Sequence, residues 1–192
     1  MTYMPLPETL SDQVQTIPGT GPNAPSDNRQ QSIGKGLIVA GMTVSSVSPA
    51  RLVLEGMYRA EAEYLAAGGP GMASFSTLAP FFAPEVVLWQ ADSLPYGGAW
   101  RGHEGMERFF LAMSATWERF ELIEQAFLSE GDPLVVLTHV RARSRVSGRE
   151  LNFPILQTIT VVDGRITEVR PFYWDTAIIA EACSSSVSED RP

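Results

Sequence analysis

The sequence predicts an α+β domain in which three helices, placed early in the chain, pack on a mostly antiparallel sheet. Apolar residues recur at helical spacing in two early segments: Leu54, Met57, Tyr58, Tyr64 and Leu65, then Met106, Phe109, Phe110, Met113 and Trp117. From Glu121 onward the pattern changes to strand-like runs broken by turn signals at Gly131-Asp132-Pro133, Ser147-Gly148 and Asp163-Gly164. A sheet with one apolar face needs a second layer to cover it, and the early helices supply that layer.

Ser48-Pro49 reads as an N-cap followed by proline at the first helical position, and Gly68-Gly69-Pro70 stops the helix it starts. A second, short helix is expected over Met72 to Phe82, where Met72, Phe75, Leu78 and Phe82 share a face despite Pro80. Glu85 to Asp92 reads as a strand, followed by the loop PYGGAWRG (residues 95–102) and a third helix from His103 to Phe120. The later strands fall at about 121–130, 133–146, 150–162 and 165–174, with Asp163-Gly164 a strong hairpin signal.

With 192 residues and 44% hydrophobic side chains, the chain can build one core. Its formal charge of -8, from 22 acidic and 14 basic side chains, opposes association with nucleic acid or with anionic membranes. The lone cysteine, Cys183, allows no internal disulfide and no zinc pair, which points to a reducing cytoplasm. The longest early apolar stretch, Gly36 to Met42, is too short to span a bilayer. Residues 1–49 carry six prolines among Gly, Ser, Gln and Asn. They are expected to form a disordered tail, a candidate contact for another protein. The folded domain is expected over 50–182, with a flexible C-terminus at 183–192.

The order of elements, with PYGGAWRGHEGMERFF entering the third helix and VVDGRITEVRPFYWD closing the sheet, resembles the SnoaL-like branch of the nuclear transport factor 2 superfamily. The similarity covers about residues 50–182, and its motifs speak to fold more than to function. It implies a curved sheet wrapped by three helices into a cone whose open end holds small apolar ligands. It also implies a homodimer formed through the outer face of the sheet. Ketosteroid isomerases, polyketide cyclases, epoxide hydrolases, dehydratases and non-catalytic binders share this fold.

Carrying over the family's functional positions leaves most of its carboxylates missing. The general-base aspartate of the isomerases falls at Gln90, which cannot take a proton at neutral pH. The second isomerase carboxylate and the cyclases' pocket histidine fall at or beside Gln157, an amide that can still donate. The acid/base aspartate that follows the last-strand arginine, here Arg170, is replaced by Pro171. The hydrolases' R-x-D pair has no counterpart in His139-Val140-Arg141-Ala142-Arg143. The isomerase's oxyanion tyrosine corresponds best to Tyr58, with Tyr64 as second choice.

Strand alternation places Val86, Leu88, Gln90 and Asp92 on one face, and His139 with Arg141 and Arg143 on one face of the middle strand. If that face is the lumen, His139 is the acid/base group, Arg141 holds a ligand oxygen and Asp175 fixes the imidazole tautomer. The ligand would then be bound by Tyr58, Gln90, Asp92, Tyr96, Trp100, Phe110, Met113, Trp117, Gln157 and Tyr173, with Tyr96 and Trp100 closing the mouth as a flap. Plainer readings stand beside these. A one-residue slip in register turns His139 outward, and Asp175 suits a helix N-cap before Thr176. His103-Glu104-Gly105-Met106-Glu107 lacks the second histidine of a zinc motif. The expectation is a cofactor-independent isomerase, cyclase or dehydratase acting on a small apolar carbonyl compound, without metal. The competing expectation is a non-catalytic ligand-binding or assembly module.

Overall fold

The computed structural model describes residues 47–184. The tail expected over residues 1–49 lies outside the described residues up to position 46, and the C-terminus does so from 185 on.

Helix α1 spans Pro49–Ala66, and the Ser48 side chain accepts from the Arg51 amide, so the expected cap and proline start are both in place. The second helix expected over 72–82 is instead two 3-10 turns, Phe75–Thr77 and Ala79–Phe81. Ser74 captures the Ser76 amide and Pro80 offers no amide of its own, so a continuous ladder of i→i−4 bonds does not form.

Strand β1 (Phe82–Gln90) leads through a tight turn into β2 (Gly98–Arg101), then α2 (Gly102–Thr116). Strands β3 (Trp117–Ser129), β4 (Leu134–Ser144), β5 (Glu150–Val162) and β6 (Arg165–Tyr173) form an antiparallel meander, and α3 (Thr176–Cys183) follows. The sheet order is β2-β1-β6-β5-β4-β3, with β1 and β6 parallel, so it is a curved, mixed sheet that does not close. The expected placement of all three helices at the start is therefore corrected: α2 follows two strands and α3 ends the domain.

Helix α2 stops at Thr116, one turn short of expectation, and Trp117 opens β3 as an extended residue. Trp117 is fully buried against Phe120 and Phe153. The hairpin signal at Asp163-Gly164 is realised, with both residues at positive φ. One apolar cluster joins α1 and the 3-10 turns to the sheet, and a second gathers Trp117, Phe153 and Ile179 near α3. Among the described residues no helix is long and apolar enough to cross a membrane.

Candidate functional site

Helices α1 and α2 lie over the concave face of the sheet and leave a cavity of about 140 Å3 between them. Each wall follows from local sequence. On α1, Leu54, Met57, Tyr58, Glu61 and Leu65 fall at i, i+3, i+4, i+7 and i+11, one continuous stripe facing inward. On α2 the same spacing delivers Met106, Phe109, Phe110 and Met113. The floor is the inward pleat of the strands, including Leu88 and Gln90 on β1, Thr138 on β4, Gln157 and Ile159 on β5, and Tyr173 on β6.

Most of the wall is apolar, and its polar members form a band across the floor. Thr138 Oγ1 donates to Gln157 Oε1 at 3.3 Å, and Gln125, which does not itself line the cavity, donates its Nε2 to Thr138 Oγ1 at 3.1 Å, linking β3, β4 and β5. Tyr173 and Gln90 continue the band on β6 and β1. Burial pushes the Tyr173 phenol up to about 12, opposed by the neighbouring Tyr96 and Gln90 side chains. Gln90 Oε1 and the Tyr96 hydroxyl are nonetheless buried without a well-aligned protein partner.

Two ionisable groups hang from α1 over this floor. Burial lifts the Tyr58 phenol well above its usual value, with Gln125 hydrogen bonding opposing the shift, so Tyr58 remains a neutral donor. Burial likewise pushes the Glu61 carboxyl up to about 7. Glu61 is half-buried and lines the cavity. No Lys, Arg or His is among the residues that line the cavity.

The sequence-predicted residues divide cleanly. Tyr58, Gln90, Phe110, Met113, Gln157 and Tyr173 line the cavity. His139 and Arg141 do not: they are exposed on the opposite face of β4, across from Pro154 and Asn152 of β5. The inward set of that strand is Leu134, Val136, Thr138, Val140, Ala142 and Ser144, every one of them buried. The parity expected for β4 is thus corrected by one residue, because the uncharged set fills the core and the charged set takes solvent. Arg143 shares the outer face and sits 3.0 Å from Glu118.

Asp175 is exposed and caps α3, its Oδ1 accepting from the Ala177 and Ile178 amides, so it is not placed to orient an imidazole in the lumen. Asp92 is exposed in the turn after β1 rather than at the cavity rim. Tyr96, Trp100 and Trp117 are packed away from the lumen. Tyr96 is 1% exposed against Phe109 and Tyr173, and Trp100 donates its indole N–H to the Tyr96 carbonyl at 3.0 Å. PYGGAWRG is therefore a packed turn and edge strand, not a flap. His103 hydrogen-bonds the Phe82 carbonyl at 3.1 Å, and no group of metal-ligating side chains gathers among the described residues.

Of the ionisable side chains that line the cavity, Glu61 is the one the sequence expectation omits. Its signal is a carboxylate inside an otherwise apolar helical stripe, between Tyr58 and Leu65.

The profile of the SnoaL-like domain matches residues 63–169, more than half of the chain. The chain belongs to the SnoaL-like family. No curated protein matches this SnoaL-like chain in sequence. Among solved structures, it is similar to an NTF2-like protein from Burkholderia xenovorans LB400, with 18% identity, 72% of this chain and 98% of that chain covered, and a TM-score of 0.62. TerC, crystallised with polyporic acid, is 18% identical over 72% of this chain and all of its own, with a TM-score of 0.58. A protein from Jannaschia sp. CCS1, provisionally described as a SnoaL-like polyketide cyclase, is 19% identical over 75% and 99% of the two chains, with a TM-score of 0.56. At these identities the likeness establishes the fold of the SnoaL-like domain and nothing finer.

Proposed function

We propose that this SnoaL-like protein takes up a small, uncharged, largely apolar molecule in its cavity. We further propose that it converts that molecule by acid/base chemistry without a cofactor, as an isomerase, cyclase or dehydratase of a carbonyl compound. The observation that carries the reading is the cavity itself, an apolar pocket crossed by a neutral hydrogen-bonding band. A cavity of about 150 Å3 suits a molecule of roughly benzene size, so the buried part of the ligand is about one ring.

The lack of a cation on the wall supports an uncharged ligand, since a carboxylate or phosphate would enter without compensation. The amides of Gln90 and Gln157 with the hydroxyls of Tyr58, Thr138 and Tyr173 suit carbonyl and hydroxyl oxygens. Native mass spectrometry of the purified protein tests this: a neutral ring compound released on denaturation supports it, and recovery only of anions contradicts it.

A second reading, a binder that performs no chemistry, is favoured by Gln90, Gln157 and Pro171 standing where relatives resembling this chain use acid/base groups. Binding of the released compound without conversion would select it. We also propose a homodimer through the outer face of the sheet, where Phe172 is exposed, and a cytoplasmic location. Light scattering of the purified chain tests the former.

A further inference from the structure

We propose that Glu61 is the proton-transferring group of this cavity, acting on the ligand from α1 with Tyr58 beside it. The inference rests on the reading of the cavity as a reaction site for an uncharged carbonyl compound. It adds the residue that moves the proton.

Glu61 sits one helical turn beyond Tyr58, and both point into the cavity. Every other side chain of that stripe is apolar or a neutral phenol, so a carboxyl there carries a solvation cost that a structural role would not require. None of the ion pairs among the described residues involves Glu61, whereas Arg51, Arg108 and Arg143 all pair with other carboxylates. The titratable groups that line the cavity with it are Tyr58 on its own helix and Tyr173 on β6. No charged side chain faces it from the floor or from the α2 residues that line the wall. Burial without a cationic partner keeps a carboxyl near neutrality, where it can both accept and return a proton.

The step balances without a co-reactant. A Glu61 carboxylate oxygen takes a proton from the carbon beside the ligand carbonyl. The C–H electron pair forms a carbon–carbon double bond, and the carbonyl pair moves to oxygen, giving an enolate that a neutral hydroxyl or amide on the wall stabilises by hydrogen bonding. In a ligand with a β,γ double bond the Glu61 acid then returns the proton to the γ carbon: the oxygen pair re-forms C=O, the enolate C=C pair moves to the α,β position, and the β,γ pair takes the proton, leaving the double bond shifted. Glu61 ends as it began.

Cyclohex-3-en-1-one, a six-membered ring with a β,γ double bond, is a probe of the right size. Its conversion to cyclohex-2-en-1-one, and deuterium uptake from D2O, are followed by NMR. Binding is measured separately by ligand-observed saturation transfer. The proposal expects wild-type protein to accelerate isomerisation or exchange over buffer. It expects Glu61→Gln to lower that rate about 100-fold or more while still binding the probe, and Glu61→Asp to restore part of it with the same dependence on pH. Because Glu61→Gln keeps the side-chain shape and removes its ability to take and return a proton, its fold is checked by circular dichroism and expected to match wild type. Binding with no acceleration, or acceleration unchanged in Glu61→Gln, overturns the role of Glu61 and leaves the pocket reading standing. Absence of binding by wild type overturns the pocket reading itself.

Discussion

Thr138 and Gln157 are joined across neighbouring strands by a 3.3 Å hydrogen bond from the threonine hydroxyl, which itself accepts from Gln125 at 3.1 Å. The threonine is 1% exposed, and its bond holds the Gln157 amide on the cavity floor. Thr138→Val keeps the shape and removes the link. We expect stability to fall by about 1 kcal/mol, within the range of about 1–3 kcal/mol for leaving buried polar groups unpaired. The urea midpoint, at unchanged slope, measures it.

His139 and Arg141 lie on the far side of the same strand. His139→Ala and Arg141→Ala are expected to leave ligand binding and any turnover unchanged, and to shift stability by no more than about 0.5 kcal/mol. A loss of binding in either variant would mean that the outer face of β4 takes part in function.

The pH dependence of stability should carry the mark of Glu61. Its folded pKa, about 7, is above the ordinary value of 4.5, so between those values the native state holds more protons than the unfolded chain. Stability contributed by the neutral carboxyl is therefore complete below about pH 4.5 and is lost as pH rises toward 7. Against Glu61→Gln, wild type should lose about 3 kcal/mol across that window. Parallel stability curves for the two proteins would contradict the burial of the carboxyl.

Gly97 closes the turn between β1 and β2. A Cβ there would lie 2.7 Å from the Ala91 carbonyl oxygen and 2.8 Å from that of Asp92, both backbone atoms that cannot step aside. Gly97→Ala is expected to cost more than about 1 kcal/mol and to lower the thermal midpoint. It should also disturb Tyr96, whose carbonyl anchors Trp100.

Much of this architecture is written in local patterns. The Ser48-Pro49 start of α1, the Asp163-Gly164 hairpin and the inward set Val86, Leu88 and Gln90 all follow from capping, turn chemistry and alternation. Trp117 shows where such patterns end, because a helical stripe with no glycine or proline after Thr116 gives no sign that the chain becomes extended. The face of β4 was ambiguous for a different reason. The polar residues at 139, 141 and 143 attract a functional reading, yet the competing set from Leu134 to Ala142 is the one with no charge to desolvate. Glu61 was legible in principle, as a carboxylate in a buried stripe, but only the presence of a cavity separates such a residue from one that reaches solvent along the helix edge.

The cavity is the central claim, and methionine methyl NMR with cyclohex-2-en-1-one tests it most directly. Met57, Met106 and Met113 line the cavity, whereas Met72 is 82% exposed on the surface. The account predicts saturable shifts of the three lining methyl signals with Met72 unmoved. Shifts confined to Met72, or none at all at millimolar probe, would contradict it.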